Sequence, residues 1–260
     1  MRLDETVAAA AGVTRSRARA LIMAGRVRVQ GRPATKPGMS VSSNAALDVE
    51  RAHTYVSRGG EKLQAVLAEF SLDVRGLRAL DVGASTGGFT DALLAHGAAH
   101  VTALDVGYGQ LALPLRDDPR VTVVERTNFR LLQAGALGEP FALITIDASF
   151  ISVVTLIDRA RAFLTDDGSI VALVKPQFQA GRRRLGGRGV VRDGEVHRAI
   201  LREVRDAIST LGLAPTVLAP SALRGPAGNV EFFTLVRQRG IAYDDDAIEA
   251  ALAAAPQALQ

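Results

Sequence analysis

Leu80-Asp81-Val82-Gly83-Ala84-Ser85-Thr86-Gly87-Gly88-Phe89-Thr90-Asp91 is the stretch on which the reading of this chain turns. The residues leading into it, from Leu77 to Val82, read as a buried strand, and Phe89 to Ala95 carries a helical pattern. A glycine-rich turn joins them. A further apolar run, His100 to Leu104, closes with Asp105. The sequence therefore spells strand, turn, helix, strand, with an acid at the tip of the second strand. Glycines let backbone approach a ligand where a Cβ would collide. The helix that follows turns its free N–H groups and positive end toward that ligand. Asp105, with Val106 beside it, stands where both hydroxyls of a ribose can be held. A glycine turn by itself would fit a plain βαβ connection. Strand, glycines, helix and terminal acid in this order favour a nucleoside cofactor.

The turn does not match G-x-G-x-x-G, because Ala84 and Ser85 interrupt it, and no Lys-Ser or Lys-Thr follows, so it is no phosphate cradle. Asp81, just ahead of Gly83, puts a carboxylate near the ligand. That is unfavourable beside a pyrophosphate and favourable beside an ammonium or sulfonium. The expected cofactor is S-adenosylmethionine (SAM) rather than NAD.

The 260 residues are 48% hydrophobic, enough for one large domain and one small one. The absence of cysteine excludes disulfides, thiol catalysis and cysteine-ligated metal. With only four histidines, at positions 53, 96, 100 and 197, no metal site is expected. The formal net charge is +4 and the isoelectric point about 9.9, so the distribution of the basic residues matters more than their sum. Asp4 and Glu5 interrupt any signal-peptide pattern, and no run of 18 apolar residues occurs. The expectation is a cytoplasmic protein that does not cross a membrane.

Residues 1–50 read as a separate module. A helix from Arg2 to Ala11 precedes a second from Arg15 to Met23, capped by Thr14 and ended by Gly25. Val27, Val29, Gly31 and Pro33 suggest a hairpin, and Ala46 to Val49 a further strand. Arg15, Arg17, Arg19, Arg26, Arg28, Arg32 and Lys36 follow one another with no acid among them. A solvated helix face normally mixes both signs, so this run favours an anionic partner. Residues 51–60 read as a linker ending in Gly59-Gly60, ahead of a helix from Glu61 to Phe70 with Lys62 at its start.

From residue 77 to 236 strands and helices alternate. Strands are expected near 78–82, 101–105, 121–124, 142–147, 169–175, 215–219 and 230–236, and helices near 89–96, 109–116, 128–135, 152–164 and 194–211. This is the pattern of a doubly wound α/β sheet, whose ligands bind beyond the carboxyl ends of its strands. Four strand ends carry polar groups there: Asp105; Thr127-Asn128, whose amide could read an adenine edge; Asp147, before Ala148-Ser149-Phe150; and Lys175-Pro176. Each is a site candidate, since a buried strand seldom ends in a charge without cause. Residues 180–192 hold Arg182, Arg183, Arg184 and Arg188 among glycines and no acid, a long loop suited to gripping phosphate above Lys175. Glu231 opens the last strand, and the alanine-rich tail from Ile241 suggests a peripheral helix without assigned function.

Two resemblances join these features. Arg2-Leu3-Asp4, Thr14-Arg15-Ser16-Arg17-Ala18 and Gly25 to Gly31 resemble an S4 domain, an RNA-binding module. Ser57 to Leu63, Asp81 to Phe89, Asp147 to Ser152, Val174 to Phe178 and Gly228 to Phe233 resemble the TlyA proteins, over about residues 1–238. These pair an S4 domain with an FtsJ-like (RrmJ-like) methyltransferase. The resemblance implies SAM-dependent 2'-O-methylation of cytidine in ribosomal RNA, although some members are labelled haemolysins. It implies an S4-like domain over 1–50, a linker over 51–60, a Rossmann-like methyltransferase over 61–240 with a mostly parallel sheet and an antiparallel last strand, and a tail over 241–260. The family's catalytic Lys-Asp-Lys-Glu set falls on Lys62, Asp147, Lys175 and Glu231. Its SAM positions fall on Gly83, Ala84, Ser85, Thr86, Gly87, Gly88, Phe89, Asp105 and Asn128. The implied partner is ribosomal RNA or a ribosomal subunit, met by the S4 arginines, Arg58 and the arginine-rich loop, with no metal. Gln179 departs from the family, standing where an acid is expected. A membrane-active haemolysin, an RNA-binding protein with a dead methyltransferase domain, and an NAD enzyme are the competing readings. The absence of a signal or long apolar span, the intact catalytic set and the turn sequence count against them in that order.

Overall fold

A computed structural model of the chain describes residues 1–23, 25–42, 45–49, 55–179 and 189–256. It divides into two compact units, Met1–Thr54 and Tyr55–Gln260.

In the first unit, α1 (Leu3–Ala11) and α2 (Arg15–Met23) pack with a small sheet of β1 (Val27–Val29), β2 (Arg32–Pro33) and β3 (Leu47–Val49), ordered β2-β1-β3 and antiparallel. Gln30 and Gly31 both have positive φ, 49° and 77°, the geometry of the tight turn whose twist matches a two-residue hairpin. Leu3, Val7, Leu21, Ile22, Val27 and Val41 form its core.

The second unit is a seven-stranded sheet between helices. In chain order it runs α3 (Arg58–Glu69), β4 (Arg78–Val82), α4 (Gly88–Ala95), β5 (His100–Leu104), α5 (Leu113–Arg116), β6 (Val121–Val124), β7 (Phe141–Ile146), α6 (Val153–Ala160), β8 (Leu164–Val174), α7 (Pro176–Gln179), α8 (Gly194–Thr210), β9 (Ala214–Pro220), β10 (Phe232–Arg237) and α9 (Asp245–Ala254). The strand order is β6-β5-β4-β7-β8-β10-β9. β4 through β8 pair parallel, and β10 runs antiparallel to both of its neighbours. Successive strand residues face opposite layers, as the two-residue period of a strand requires. Ala79, Val101, Leu143, Val171 and Phe233 pack with α3 and α4, while Leu80, Leu104, Ile144, Ile170 and Phe232 pack with α6, α8 and α9. The chain starts in the middle of the sheet, winds outward through β5 and β6, then crosses back to β7. The reversal opens a crevice at the carboxyl ends of β4 and β7.

Several expected elements differ. The helix near 109–116 is confined to α5: Ala112 is extended, and Pro114, lacking an N–H, sits in the first turn. The helix near 128–135 is a single 3-10 turn, Phe129–Leu131, capped by the Asn128 side chain and ended by extended Leu132. The Gly59-Gly60 pair lies inside α3, which begins at Arg58 behind its Ser57 cap. β8 starts five residues earlier than the pattern suggests, through an irregular stretch between its pairings at Leu164 and Ser169. The tail forms α9, anchored by buried Ile248 and Ala251 and by Asp245 paired with Arg202 and Arg205 of α8, each at 2.8 Å. His96 and His100 are four residues apart, a metal spacing on one helix, but they straddle the end of α4 and the start of β5. Among the described residues no group of three His, Cys, Asp or Glu could hold a metal.

Candidate active site

Two adjoining cavities open at the carboxyl ends of the parallel strands. One, of about 240 Å³, is walled by α3, the turn after β4, and Asp147, Lys175, Pro226 and Glu231. The other, of about 520 Å³, lies over the ends of β4, β5 and β7. Gly83, Ser85 and Asp147 line both.

Backbone contact builds this wall. Gly83 has φ +85°, and a Cβ there would collide with the Asp147 carbonyl, so only glycine lets the end of β4 touch the end of β7. A Cβ at Gly88 would meet Ser57 Oγ and the backbone of Gly59 and Gly60. The amino ends of α3 and α4 are thus pressed together, which carries Lys62 into the site.

The four residues of the implied catalytic set meet on the smaller cavity. Lys62 Nζ lies 2.5 Å from Glu231 Oε2, with side-chain exposures of 10% and 2%. Lys175 Nζ lies 2.6 Å from Asp147 Oδ1. That carboxylate oxygen lacks hydrogen-bond alignment with the amine, so the contact is an ion pair by distance, and Lys175 donates its aligned bond to Ser149 Oγ at 3.1 Å. Two cations and two anions therefore alternate around one space. Gly225 is required beside them, since a Cβ there would collide with Glu231 Oε1.

The larger cavity has an apolar floor that includes Val82, Leu104, Phe129 and Leu156, and a polar rim with Asp105 and Asn128. The Asp105 carboxylate accepts from Ser85 N at 2.8 Å and Gly107 N at 2.6 Å. Those bonds fix its orientation and leave acceptor lone pairs for a ligand. Asn128 Oδ1 accepts from Arg130 N, which leaves its amide N–H groups to donate outward. Val106, 69% exposed, lies on the same wall. An apolar slot with acceptors and donors at its edge suits an adenosine.

Of the other expected cofactor positions, Ala84, Thr86, Gly88 and Phe89 line the smaller cavity. Gly87 and Asp81 line neither. Gly87 has φ +97° and opens α4 against Leu115. Asp81 is fully buried and accepts from Thr90 Oγ1 at 2.7 Å and Thr145 Oγ1 at 3.0 Å. Burial pushes its carboxyl up to about 6, against the lowering effect of those two hydroxyls. Asp81 is thus a buried tie beneath the turn, where the sequence reading set it against the ligand. A strand residue one step before the tip points into the adjacent layer and not out of the strand end.

Arg58 lines the smaller cavity. In the first unit, Arg19, Arg26, Arg28, Arg32 and Lys36 are exposed. Arg15 is engaged instead: it lies 3.1 Å from buried Asp4 and 3.0 Å from Glu5. Hydrogen bonding from Arg2 and Arg15 holds the Asp4 carboxyl down at about 2. The acid-free run in sequence is therefore partly neutralised across the fold by α1. The Arg17 side chain, and Arg182, Arg183, Arg184 and Arg188, lie outside the described residues.

Sequence reasoning passed over Phe150 and Phe178. Phe150 is 90% exposed, has φ +64°, and packs against Phe178 with the rings tilted 50° and their centroids 4.8 Å apart, at the cavity mouth. Its position in the turn just past the strand-end Asp147 was the available signal. Ser149 was passed over as well, because a serine in a turn has ordinary structural uses.

Residues 55–238 match the FtsJ-like methyltransferase family, and residues 1–47 match the S4 domain. The chain is 49% identical over 233 residues to the 16S/23S rRNA (cytidine-2'-O)-methyltransferase TlyA of Mycobacterium tuberculosis, spanning 87% of this chain and 86% of that one. It is 37% identical to Hemolysin A of Brachyspira hyodysenteriae over 89% of this chain and 98% of that one. A solved hemolysin-named structure from Streptococcus thermophilus is 36% identical, with a TM-score of 0.74 over 97% of this chain and 94% of that one.

Proposed function

The chain belongs to the FtsJ-like methyltransferase family, with an S4 domain in its first 47 residues, and on that premise we propose that it methylates ribose 2'-oxygens, of cytidine, in ribosomal RNA, with SAM as methyl donor. The observation that carries the reading is the convergence of Lys62, Asp147, Lys175 and Glu231 on one cavity that shares a wall with a second, apolar-floored and polar-rimmed one. The named substrate of the M. tuberculosis relative supports the choice of ribosomal RNA and of cytidine.

The residues present fit SAM. Asp105 and Asn128 would hold its ribose and adenine edge, and the turn from Gly83 to Gly88 would lie along its amino-acid part. When bound, it supplies an electrophilic methyl group on a sulfonium. The chain's task is then to present a ribose hydroxyl, a poor nucleophile, in line with that methyl. Orientation of this kind supplies much of the acceleration in such reactions. Lys175, once it has given up its own proton, would take the proton that the ribose hydroxyl loses on methylation and so return to its ammonium form. Asp147, 2.6 Å away, holds that amine and balances its charge. The Lys62–Glu231 pair shapes the opposite side of the ribose seat. Phe150 offers a flat exposed face on which the target base can stack. Arg58 and the exposed cations of the S4 domain grip phosphates. A ribosomal substrate assigns the enzyme to the cytoplasm.

No helix among the described residues is long and apolar enough to cross a membrane. Mapping 2'-O-methyl groups along ribosomal RNA from cells with and without this protein tests the proposal. Loss of one or more methylated cytidines is expected, and identical maps would reject the assignment.

A further inference from the structure

Lys175 has two partners, and only one of them belongs to the charged set. Its amine sits 2.6 Å from Asp147 Oδ1 and donates to Ser149 Oγ at 3.1 Å. Ser149 lines the larger cavity, Lys175 the smaller, and Asp147 both, so this bond crosses the wall through which a methyl group must pass. The turn that presents Ser149 is held from both ends. It leaves β7 at Asp147 and continues into Phe150, whose φ of +64° is a conformation side-chain-bearing residues rarely adopt. The Phe150 ring packs, tilted, against Phe178 of α7, the short helix that begins directly after Lys175. The aromatic contact thus ties the serine's turn to the lysine's strand end.

We propose that Ser149 is a positioning residue for Lys175, fixing the direction in which its amine meets the acceptor hydroxyl; this rests on the methyl-transfer reading above. A primary amine that is to take a proton has two N–H donors and one lone pair. Ser149 Oγ takes one of those donors in an aligned bond, while Asp147 Oδ1, 2.6 Å away, attracts the amine by charge without a hydrogen bond. The aligned bond is therefore the contact that sets the direction of the lone pair. With Asp147 alone, rotation about the Cε–Nζ bond leaves that direction undefined. The groups facing the amine are Asp147 and Ser149 from the turn after β7 and the Phe178 ring of α7, 6.0 Å from Nζ. No second carboxylate lies among its described partners, so the neutral hydroxyl is the remaining orienting group.

The test uses the full chain with Ser149→Ala and Ser149→Thr. Single-turnover methyl transfer from labelled SAM to ribosomal subunits is measured beside SAM affinity and the RNA concentration for half-saturation. Ser149→Ala is expected to slow transfer by about ten-fold, the size of one lost hydrogen bond, with both affinities unchanged. Ser149→Thr keeps the hydroxyl and is expected to restore most of the rate. A defect of folding alone would lower both affinities and would not be repaired by threonine. A second arm needs no RNA. Lys36, Lys62 and Lys175 are the only lysines of the chain, so carbon-13 relaxation of the Lys175 Cε methylene can be followed by itself. Ser149→Ala is expected to increase its mobility, and Ser149→Thr to reverse that. Transfer by Ser149→Ala within about two-fold of wild type, or threonine as slow as alanine, overturns the proposal. So does unchanged Cε mobility. Absence of transfer by the wild-type protein would instead sink the functional reading, which the relaxation arm does not depend on.

Discussion

Replacing Glu231 by Gln, Lys62 by Met, or the pair by Leu and Met together separates what this ion pair does for stability from what it does for chemistry. The two charges lie 2.5 Å apart with side-chain exposures of 2% and 10%. Removing one partner leaves the other charged and desolvated, which costs about 3–5 kcal/mol in buried pairs. The pair borders a cavity, so the lower end, about 3 kcal/mol, is expected for either single variant. Removing both together leaves no orphan charge, and apolar replacements of similar volume are neutral or stabilising in such sites, by about 0–4 kcal/mol. The double variant should therefore recover the stability that each single variant lost, yet fall in methyl transfer by about 10²-fold or more, as expected for groups that act in the transition state. Urea unfolding followed by far-ultraviolet circular dichroism gives the stabilities. The first unit can unfold separately, so the transition of the second unit is fitted by itself. Single variants within about 0.5 kcal/mol of wild type would show that the pair is not a buried one. A double variant that transfers normally would remove both residues from the chemistry.

Lys175→Ala should lower single-turnover transfer by about 10²–10⁴-fold while SAM still binds, and Lys175→Arg should fare no better because a guanidinium does not release its proton; normal transfer by the arginine variant would leave this residue a purely electrostatic role. Asp105→Ala should weaken SAM binding by about 1.5–3 kcal/mol for each charge-assisted hydrogen bond lost, read by calorimetric titration. Asp81 sets a pH dependence of stability. Burial raises its carboxyl from 3.8 to about 6, so the folded state keeps a proton that the unfolded chain has released. Its contribution is complete below the lower value and is lost as pH rises through the upper one, about 3 kcal/mol in all. Asp81→Asn should abolish that fall, and equal slopes for the two proteins between pH 4 and 6, roughly the window of that shift, would refute it. In the first unit, Arg15→Glu should lower thermal stability by removing one of the two cations that hold buried Asp4 and placing a like charge beside it, whereas Arg19→Glu should spare stability and reduce the salt dependence of RNA binding by about one counterion.

The strand ends were legible because a buried parallel strand shows as an apolar run, and a charge at its tip is conspicuous. Asp105, Asp147 and Lys175 stand where that reasoning put them, each at or just past the end of a strand. Asp81 was misjudged by one step along the same strand, which reverses the direction of a side chain. The helices expected near 109–116 and 128–135 fail for local reasons. Pro114 delays the first, and Asn128 caps a turn that does not continue. Arg15 could not be read at all from its own neighbourhood, because its partners, Asp4 and Glu5, come from another helix. Lys62 shows the same limit from the other side. Its position in a helix start is unremarkable until Gly88 lets α3 press on α4 and bring it to Glu231, 169 residues away.

The central claim is that this site moves a methyl group from SAM to a ribose 2'-oxygen of ribosomal RNA. The most direct measurement incubates the purified protein with methyl-labelled SAM and ribosomal subunits from cells that lack it, digests the RNA to nucleosides, and identifies the labelled species by mass spectrometry. The account predicts label in 2'-O-methylcytidine with the wild-type chain and none with Lys175→Ala. Label on a base, or equal labelling by the two proteins, would contradict it.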